Sequence, residues 1–505
     1  MNGVDPRTPV LVGIAQHTVK RQELPGPEPL SAWEIVCRDA MSDAGLDARS
    51  LSEVDALLLT DCMSWRYDDP AARLAERLGA SASFRHIGPP SGTSGQTLVN
   101  LAANRIRRGE ASVALVCGGE ALASLRAYRK QGEQPAWSFP HPEGPEFAFD
   151  LDEQQHPGEA AIGLTEGVGA VYNFALRDIA RRAHLGIAPK DYRRQLGQTL
   201  AGMTEIAAAN PSAWFSQARE EDFLIEPRAE NRLVAYPYTK HMVAMLEVDI
   251  SAAVMLCSEE WADSHGIGQE RRVYPWTSCY AEDPVYLAVR RKIWCSPAMA
   301  AAGEAALSAA GITIADVKYI DLYSCFPSAV NFARDALGIP DRPGNRITVT
   351  GGLPYAGGPG SSYMLTSIAR MAACLRADPA EFGMVSGVGM MMSNHVFATY
   401  STTPPGAHVR QPDQPAVQAE VDREPTCVIV DAYSGTARIA AYTVMYDRDG
   451  AASHGAAICD LPNDARCHVQ IVDQDLLALF ESEEMVGRKV DVVAGDRVGS
   501  IVRAH

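Results

Sequence analysis

The chain holds no Cys-x-x-Cys pair and no Cys/His spacing of a metal site, although it has eleven cysteines. Scattered thiols of this kind read as reduced side chains of a cytosolic protein, not as a disulfide framework or a zinc module. No apolar run approaches the roughly 20 residues that a spanning helix needs, and Asp5, Pro6 and Pro9 do not fit a signal peptide. The expected setting is therefore cytoplasmic, without membrane insertion. Positive charge is scarce: 45 Lys and Arg stand against 62 Asp and Glu, a formal net charge of −17. That balance argues against nucleic acid or an anionic membrane as a general partner, while leaving room for a local basic patch. With 47% hydrophobic and 21% charged residues over 505 positions, the composition is globular and the length fits two to four domains of about 100–200 residues.

The most informative stretch runs from Thr348 to Leu375. A short β-branched run passes into a glycine- and proline-rich loop, Gly351 to Gly360. A helical pattern follows, with Leu365, Ile368, Ala369, Ala372 and Leu375 on one face. Such a loop brings backbone N–H groups close to a ligand, and the helix start adds unpaired donors and partial positive charge. Together they suit an anion or a polarised carbonyl oxygen. A plain strand–loop–helix corner is the competing reading.

The unit occurs twice, which favours the first reading. Ser91 to Gly95 is an earlier glycine/serine loop, followed by a helix face of Leu98, Val99, Ala102, Ala103 and Ile106. A buried strand, Val113 to Val116, then ends in Cys117-Gly118-Gly119. Its later counterpart is Met384-Val385 ending in Ser386-Gly387-Val388-Gly389. Upstream, Ala40 to Cys62 resembles Ala306 to Cys325, sharing Ala-x-Ser-x-Ala-Gly. The period is too long for a solenoid; it reads as a duplicated α/β domain whose two loops face one site.

Around these units, Val10–Ile14 and Leu57–Thr60 read as strands and Ser31–Ala44 as a helix stopped at Gly45. The alternation predicts a mostly parallel, doubly covered sheet. From Ala121 to Lys240 an insertion intervenes, with helices expected over Thr165–His184 and Pro189–Asn210; such insertions cover sites or build substrate pockets. Ser251–Ser258 and Val273–Thr277 read as strands returning to the sheet. The expected division is 1–277 (insertion 121–240), 278–403, a proline-rich linker 404–425 and a tail 426–505. In the tail, Ala437–Tyr446 and Ala456–Cys459 flank Asp447-Arg448-Asp449-Gly450, a hairpin signal. About five strands and one helix, around Gln474–Glu484, predict a small OB-like barrel.

The doubled unit, from Val10 to Pro404, resembles the thiolase superfamily, especially sterol-carrier-protein-type thiolases and thiolase-like proteins of type 1, which carry an additional C-terminal domain. The resemblance implies a layered α/β/α/β/α core and a CoA thioester as substrate or ligand, with no tightly bound cofactor and no metal. It also implies a homodimer through the core, a contact that the tail could block to leave a monomer. Four motif positions depart from the family. The nucleophilic Cys aligns with Gly92, in Gly92-Thr93-Ser94-Gly95. His-x-Cys-Phe is Tyr323-Ser324-Cys325-Phe326, and Gly-His-Pro is Gly357-Gly358-Pro359. Cys-x-Gly falls at Ser386-Gly387-Val388. The serine that contacts pantetheine in relatives falls near Met245.

Losing a nucleophile outright costs roughly 10⁶-fold in other enzymes, so thiolysis is not expected. What remains is an oxyanion and substrate loop set, Gly92, Ser94, Gly357, Gly358 and Ser386, with two tyrosines, Tyr323 and Tyr355. A neutral phenol, titrating near pH 10, donates to an enolate oxygen; with a lowered pKa it takes a proton from a 3-hydroxyl. Those needs match retro-aldol cleavage of a 3-hydroxyacyl-CoA. Superfamily steroid aldolases look similar, with no cysteine, tyrosines at the site and an OB-fold partner that the tail here would supply in cis. Each tyrosine could equally be a packed aromatic. Cys325 and Cys62, at equivalent strand ends, are substitute nucleophiles or small buried hydrophobes. Arg228, Arg232 and Lys240 are charge-based candidates for CoA phosphates. The alternatives are a non-catalytic acyl-CoA or lipid binder and a true acetyl-CoA acetyltransferase.

Overall fold

The computed structural model describes residues 4–145, 157–164, 169–340, 347–406, 408–496 and 498–505. Its strands are β1 (Pro9–Thr18), β2 (Ala56–Leu59), β3 (Phe84–Ile87), β4 (Val113–Ala121), β5 (Leu233–Ala235), β6 (Tyr238–Thr239), β7 (Asp249–Ser258), β8 (Tyr274–Glu282), β9 (Val317–Asp321), β10 (Phe382–Gly389), β11 (Asn394–Ser401), β12 (Gly435–Tyr446), β13 (Ala452–Asp460), β14 (Arg466–Ile471), β15 (Lys489–Val493) and β16 (Gly499–Ala504). Helices of eight residues or more are α1 (Pro29–Asp43), α2 (Pro70–Leu78), α3 (Ser94–Arg107), α4 (Leu122–Gln131), α5 (Gly169–His184), α6 (Pro189–Ala209), α7 (Pro297–Ala310), α8 (Pro327–Leu337), α9 (Tyr363–Ala377), α10 (Gln414–Val421) and α11 (Gln474–Ser482).

Two sheets carry the duplication: β1-β7-β4-β2-β3 and β8-β11-β10-β9. Both are mixed. Only β4–β2, β2–β3 and β10–β9 are parallel pairs, while β7 runs antiparallel to both neighbours. The expected mostly parallel sheet is corrected here. The cause is connectivity: β7 returns from the insertion to fill the place between β1 and β4, and β10 turns straight back into β11. Helices α3 and α9, whose predicted apolar faces are buried, lie between the sheets. α1 covers the first sheet from outside through Trp33, Val36, Cys37, Ala40 and Met41. The strand expected over Val273–Thr277 extends through Glu282 as β8, an edge of the second sheet.

The β-branched run at Thr348 forms no strand. Asp321, at the end of β9, accepts from Thr348 Oγ1 (2.7 Å), Val349 N (2.9 Å), Thr350 N (3.2 Å) and Thr350 Oγ1 (3.0 Å). A buried carboxylate thus claims donors that a fifth strand would have used, and the second sheet stops at four.

In the insertion, the helix expected from Thr165 is seen from Gly169, since residues 146–156 and 165–168 lie outside the described set. The tail forms a closed five-stranded barrel, β12-β13-β14-β16-β15 and back to β12, with α11 between the third and fourth strands. The hairpin β5–β6 from the insertion attaches to β12, and Tyr236 N donates to Val444 O (2.8 Å). Arg466 Nη1 and Nη2 donate to the carbonyls of Ala288, Arg290 and Arg291, which locks the barrel to the core. Within the proline-rich 404–425 stretch, α10 forms where no periodicity pointed to it. Asp413 caps it by accepting from Ala416 N, and Pro415 lies in its first turn.

Candidate active site

The two glycine loops meet at one cavity. Ser91 N donates to Ser361 Oγ (3.1 Å). A Cβ on Gly95 would sit 2.8 Å from Met364 Cβ, so α3 and α9 begin side by side only because position 95 has no side chain. The cavity, about 470 Å³, is walled by Ser91, Gly92, Leu353, Gly360 and Ser361 from the loops. Val171, Phe174 and Val234 line it from the insertion, and Val243, Ala244 and half-exposed Leu246 approach its mouth. Tyr323, Cys325, Phe326, Val388, Met390 and Met391 come from the second half. The walls are overwhelmingly apolar.

Tyr323 stands opposite Gly92. A Cβ on Gly92 would lie 2.1 Å from Val388 O and 2.5 Å from the Tyr323 hydroxyl. The space of a side chain at position 92 is therefore filled by the phenol and a strand carbonyl. Tyr323 N donates to Ser386 Oγ (2.9 Å), and its ring meets Tyr363 edge-on with centroids 5.4 Å apart. Tyr363 in turn donates to Asp321 Oδ2 (3.1 Å) and shares a bond with Thr350 Oγ1 (2.7 Å). The phenol is thus held on three sides. Among the described residues its hydroxyl has no hydrogen-bond partner.

Burial pushes the Tyr323 phenol well above its ordinary range, with Cys325 adding to the effect. Tyr355 is pushed up by burial as well. A lowered pKa is therefore corrected for both: at neutral pH each is a donor and not a base. Tyr355 is not in the cavity wall; its hydroxyl is buried and has no hydrogen-bond partner among the described residues. Gly357 and Gly358 are not in the wall either. They serve close packing, since a Cβ on Gly357 (φ +106°) would meet Ile250 Cδ1 at 2.5 Å, and Gly358 N donates to Met245 O (2.9 Å). Ser94 Oγ donates to Pro89 O and faces a second, more polar cavity beside Thr93 and Asn394. Cys325 lies in the wall, but burial pushes its thiol up and away from thiolate. Cys62 lies outside the wall, its Sγ 3.8 Å from Glu120 Oε2.

Two features were not read from the sequence. Glu120, at the end of β4, is buried; its Oε1 accepts from Met63 N (2.8 Å) and its Oε2 from Ser64 N (2.9 Å). Burial raises it to about 7, against the pull of these donors and with help from Asp61, itself raised by burial to about 6. The glutamate following Gly118-Gly119 was the available signal. The second feature is the turn between β10 and β11, where Met390 (φ +51°) and Met392 (φ +54°) are left-handed. Buried Arg177 donates to Met391 O (2.6 Å) and buried Arg290 to Met392 O (2.9 Å), which offsets that strain.

A family model of the thiolase-like protein type 1 additional C-terminal domain matches residues 416–497, and one of the beta-ketoacyl synthase N-terminal domain matches 67–172. No curated protein matches the chain. Among solved structures, a monomeric SCP2-thiolase-like protein type 1 from Mycobacterium smegmatis is 30% identical. It aligns over 99% of this chain and 100% of its own, with a TM-score of 0.85. The chain belongs to the SCP2-thiolase-like proteins of type 1. More distant structures share the thiolase fold alone. An Ltp2-ChsH2(DUF35) aldolase is 17% identical (78% of this chain, 98% of that one, TM-score 0.59), and human mitochondrial 3-ketoacyl-CoA thiolase is 14% identical (79% and 99%, 0.56). In this type 1 protein no described helix is long and apolar enough to cross a membrane.

Proposed function

We propose that this chain cleaves or forms a carbon–carbon bond in an acyl-CoA thioester without a cysteine nucleophile, with retro-aldol cleavage of a 3-hydroxyacyl-CoA as the reading the site supports best. The observation that carries it is the unpartnered Tyr323 hydroxyl, held 2.5 Å from where a Gly92 side chain would begin, in an apolar cavity. A neutral phenol there donates to the thioester oxygen as it becomes an enolate, a stabilisation that strengthens as charge develops. Lipid or steroid-like acyl groups suit the apolar walls.

The CoA phosphates suit a basic rim near the mouth. Arg21 stacks on Phe215 (4.8 Å), and Arg219 and Arg228 on Phe223 (4.3 and 5.4 Å). His241 packs on Phe223 (5.1 Å) and is held below its ordinary pKa by burial, then by Lys240, Arg219 and Arg21. Val243 and Ala244 follow directly into the cavity wall. Arg232 turns away, donating to Leu233 O (2.8 Å).

A second reading, a binder without turnover, is favoured by one observation: among the described residues no carboxylate, histidine or lysine lines the cavity. A true acetyltransferase is disfavoured by the filled space at Gly92.

The test is incubation of the protein with 3-hydroxyacyl- and 3-ketoacyl-CoAs, with and without free CoA, read by mass spectrometry. Cleavage of the hydroxyacyl-CoA to a shorter thioester and a carbonyl compound, independent of free CoA, is expected. Ketoacyl cleavage only with free CoA would establish thiolysis instead. Unchanged ligand that stays bound would establish a binder.

A further inference from the structure

One wall of the apolar cavity is backed by the tail barrel. The sheet runs from barrel strand β12 directly into β5 and β6, so the hairpin of the insertion extends the barrel's own sheet. Met445 of β12 pairs with Ala235, Tyr236 N donates to Val444 O (2.8 Å), and Thr443 Oγ1 donates to Tyr236 O (2.9 Å). Within the hairpin, Leu233 pairs with Thr239 and Ala235 with Tyr238. Val234 is therefore an extra residue on β5, a bulge, which bends a strand and re-aims a side chain. It is the residue of β5 that lines the cavity.

Helix α5 is two-sided in the same way. Val171 and Phe174 line the cavity, whereas Leu176 and Ala180 share a buried cluster with Ala441, Met445 and Ile458 of the barrel. Tyr238 ties hairpin to helix, its hydroxyl donating to Asp178 Oδ2 (2.7 Å). Met445 thus stands behind both elements: its backbone pairs with the hairpin and its side chain belongs to the cluster under the helix.

We propose that the C-terminal barrel sets which acyl groups the cavity accepts, with Met445 and Thr443 as positioning residues for Val234 and Phe174 in its wall. The inference rests on reading the cavity as an acyl-CoA site, whether or not turnover follows. The physical reason is packing. A wall side chain keeps its place only while the space behind it is filled, and truncating a buried side chain leaves a void into which its neighbours relax in part. Removing the Met445 side chain lets the wall recede, which favours branched or ring-bearing acyl groups over straight ones.

The test measures, by calorimetry, the affinities of two unreactive acyl-CoA thioethers, one straight-chain and one ring-bearing. Val234→Ala, in the wall, and Met445→Ala, behind it, should each shift the affinity ratio about fivefold toward the ring-bearing ligand. Met445→Leu should restore the wild-type ratio. Leu477→Ala, a buried truncation in α11 of the same barrel, should leave the ratio within about twofold. Thr443→Val removes only the bond to Tyr236 O and should shift the ratio in the same direction, even if Met445→Ala folds poorly. Hydrogen exchange reads the hold without any ligand: residues 233–239 should exchange about tenfold faster in Met445→Ala than in Leu477→Ala. A wild-type ratio in Met445→Ala and Thr443→Val, equal shifts in Met445→Ala and Leu477→Ala, or unchanged exchange in the hairpin overturns the proposal. Failure of the wild type to bind either thioether overturns the acyl-CoA reading, and the exchange result still decides whether the barrel holds the wall.

Discussion

The two halves of the core share a backbone and differ in chemistry. Leu58 pairs with Val116 in the first sheet as Asp321 pairs with Val385 in the second, so the strand ends can be matched residue by residue. Thr60 corresponds to Tyr323, Cys62 to Cys325, Cys117 to Ser386 and Glu120 to Gly389. In the first half the strand ends carry carboxyls, Asp61 and Glu120, packed against a thiol. In the second they carry a phenol, with Ser386 Oγ accepting from Tyr323 N. Thr60 Oγ1 is spent on Ser362 Oγ (2.7 Å), whereas the Tyr323 hydroxyl has no hydrogen-bond partner among the described residues and faces the cavity. Duplication placed two equivalent corners in the core, and of these matched residues Tyr323 and Cys325 line the cavity.

The largest test of that asymmetry is Tyr323→Phe. Turnover of a hydroxyacyl-CoA should fall about 10²–10³-fold, the cost of one lost oxyanion donor, with affinity retained. Thr60→Ser, at the matching position, should leave kcat within twofold; equal losses would erase the distinction between the corners. Next is Asp321→Asn, which keeps Oδ1 for the donors of Thr348, Val349 and Thr350 but sets an amide N–H₂ where Oδ2 accepts from the Tyr363 hydroxyl. A loss of about 1–3 kcal/mol for that bond to a charged acceptor should appear in urea unfolding, and Leu58→Met, at the matching site, should cost under about 1.5 kcal/mol. Gly92→Cys should destabilise by about 1–3 kcal/mol through overpacking against Val388 O and Tyr323 and should not confer thiolysis; a stable, thiolytic variant would show that the second half leaves room for the nucleophile. The smallest effect concerns Cys325. Its raised pKa predicts slow alkylation at neutral pH and near-wild-type activity for Cys325→Ser, read by mass spectrometry of iodoacetamide-treated protein.

The carboxyls also set a pH trend in stability. Glu120 holds its proton more tightly when folded, at about 7, than its ordinary value of 4.5. The native state therefore binds more protons than the unfolded chain between these values, and Glu120 erodes stability as pH rises through that window. Asp283, held below the usual carboxylate range chiefly by Arg290 against the effect of burial, acts oppositely. Its contribution is present above the unfolded carboxylate range and lost in acid. Glu120→Gln should flatten the decline between pH 4.5 and 7 in thermal unfolding.

The helices α1, α3 and α9 were legible because one-sided burial writes a three- and four-residue period into Trp33 to Met41, Leu98 to Ile106 and Leu365 to Leu375. The barrel was legible because half-buried strands alternate and Asp447 to Gly450 marks a turn. The antiparallel placement of β7 was not, since an eight-residue apolar run such as Ser251–Ser258 carries no direction. Nor was α10, stabilised by its cap and its seat on the core more than by an apolar face. At the site, the two loops and Tyr323 were found through repetition and motif position. Tyr355 was grouped with Tyr323 on sequence proximity to the second loop, and the fold gives them different surroundings.

By itself, the sequence determined that the core is duplicated, that a barrel follows it, and that glycine loops precede two buried helices. These properties are local, set by period, turn chemistry and the absence of a side chain. Only the tertiary structure decided that the Tyr323 hydroxyl fills the space beside Gly92, that Glu120 is buried against the backbone of Met63 and Ser64, and that both tyrosines are donors at neutral pH. Each depends on groups far apart in the chain and on the loss of solvent around them, and a pKa belongs to that surrounding and not to the residue alone.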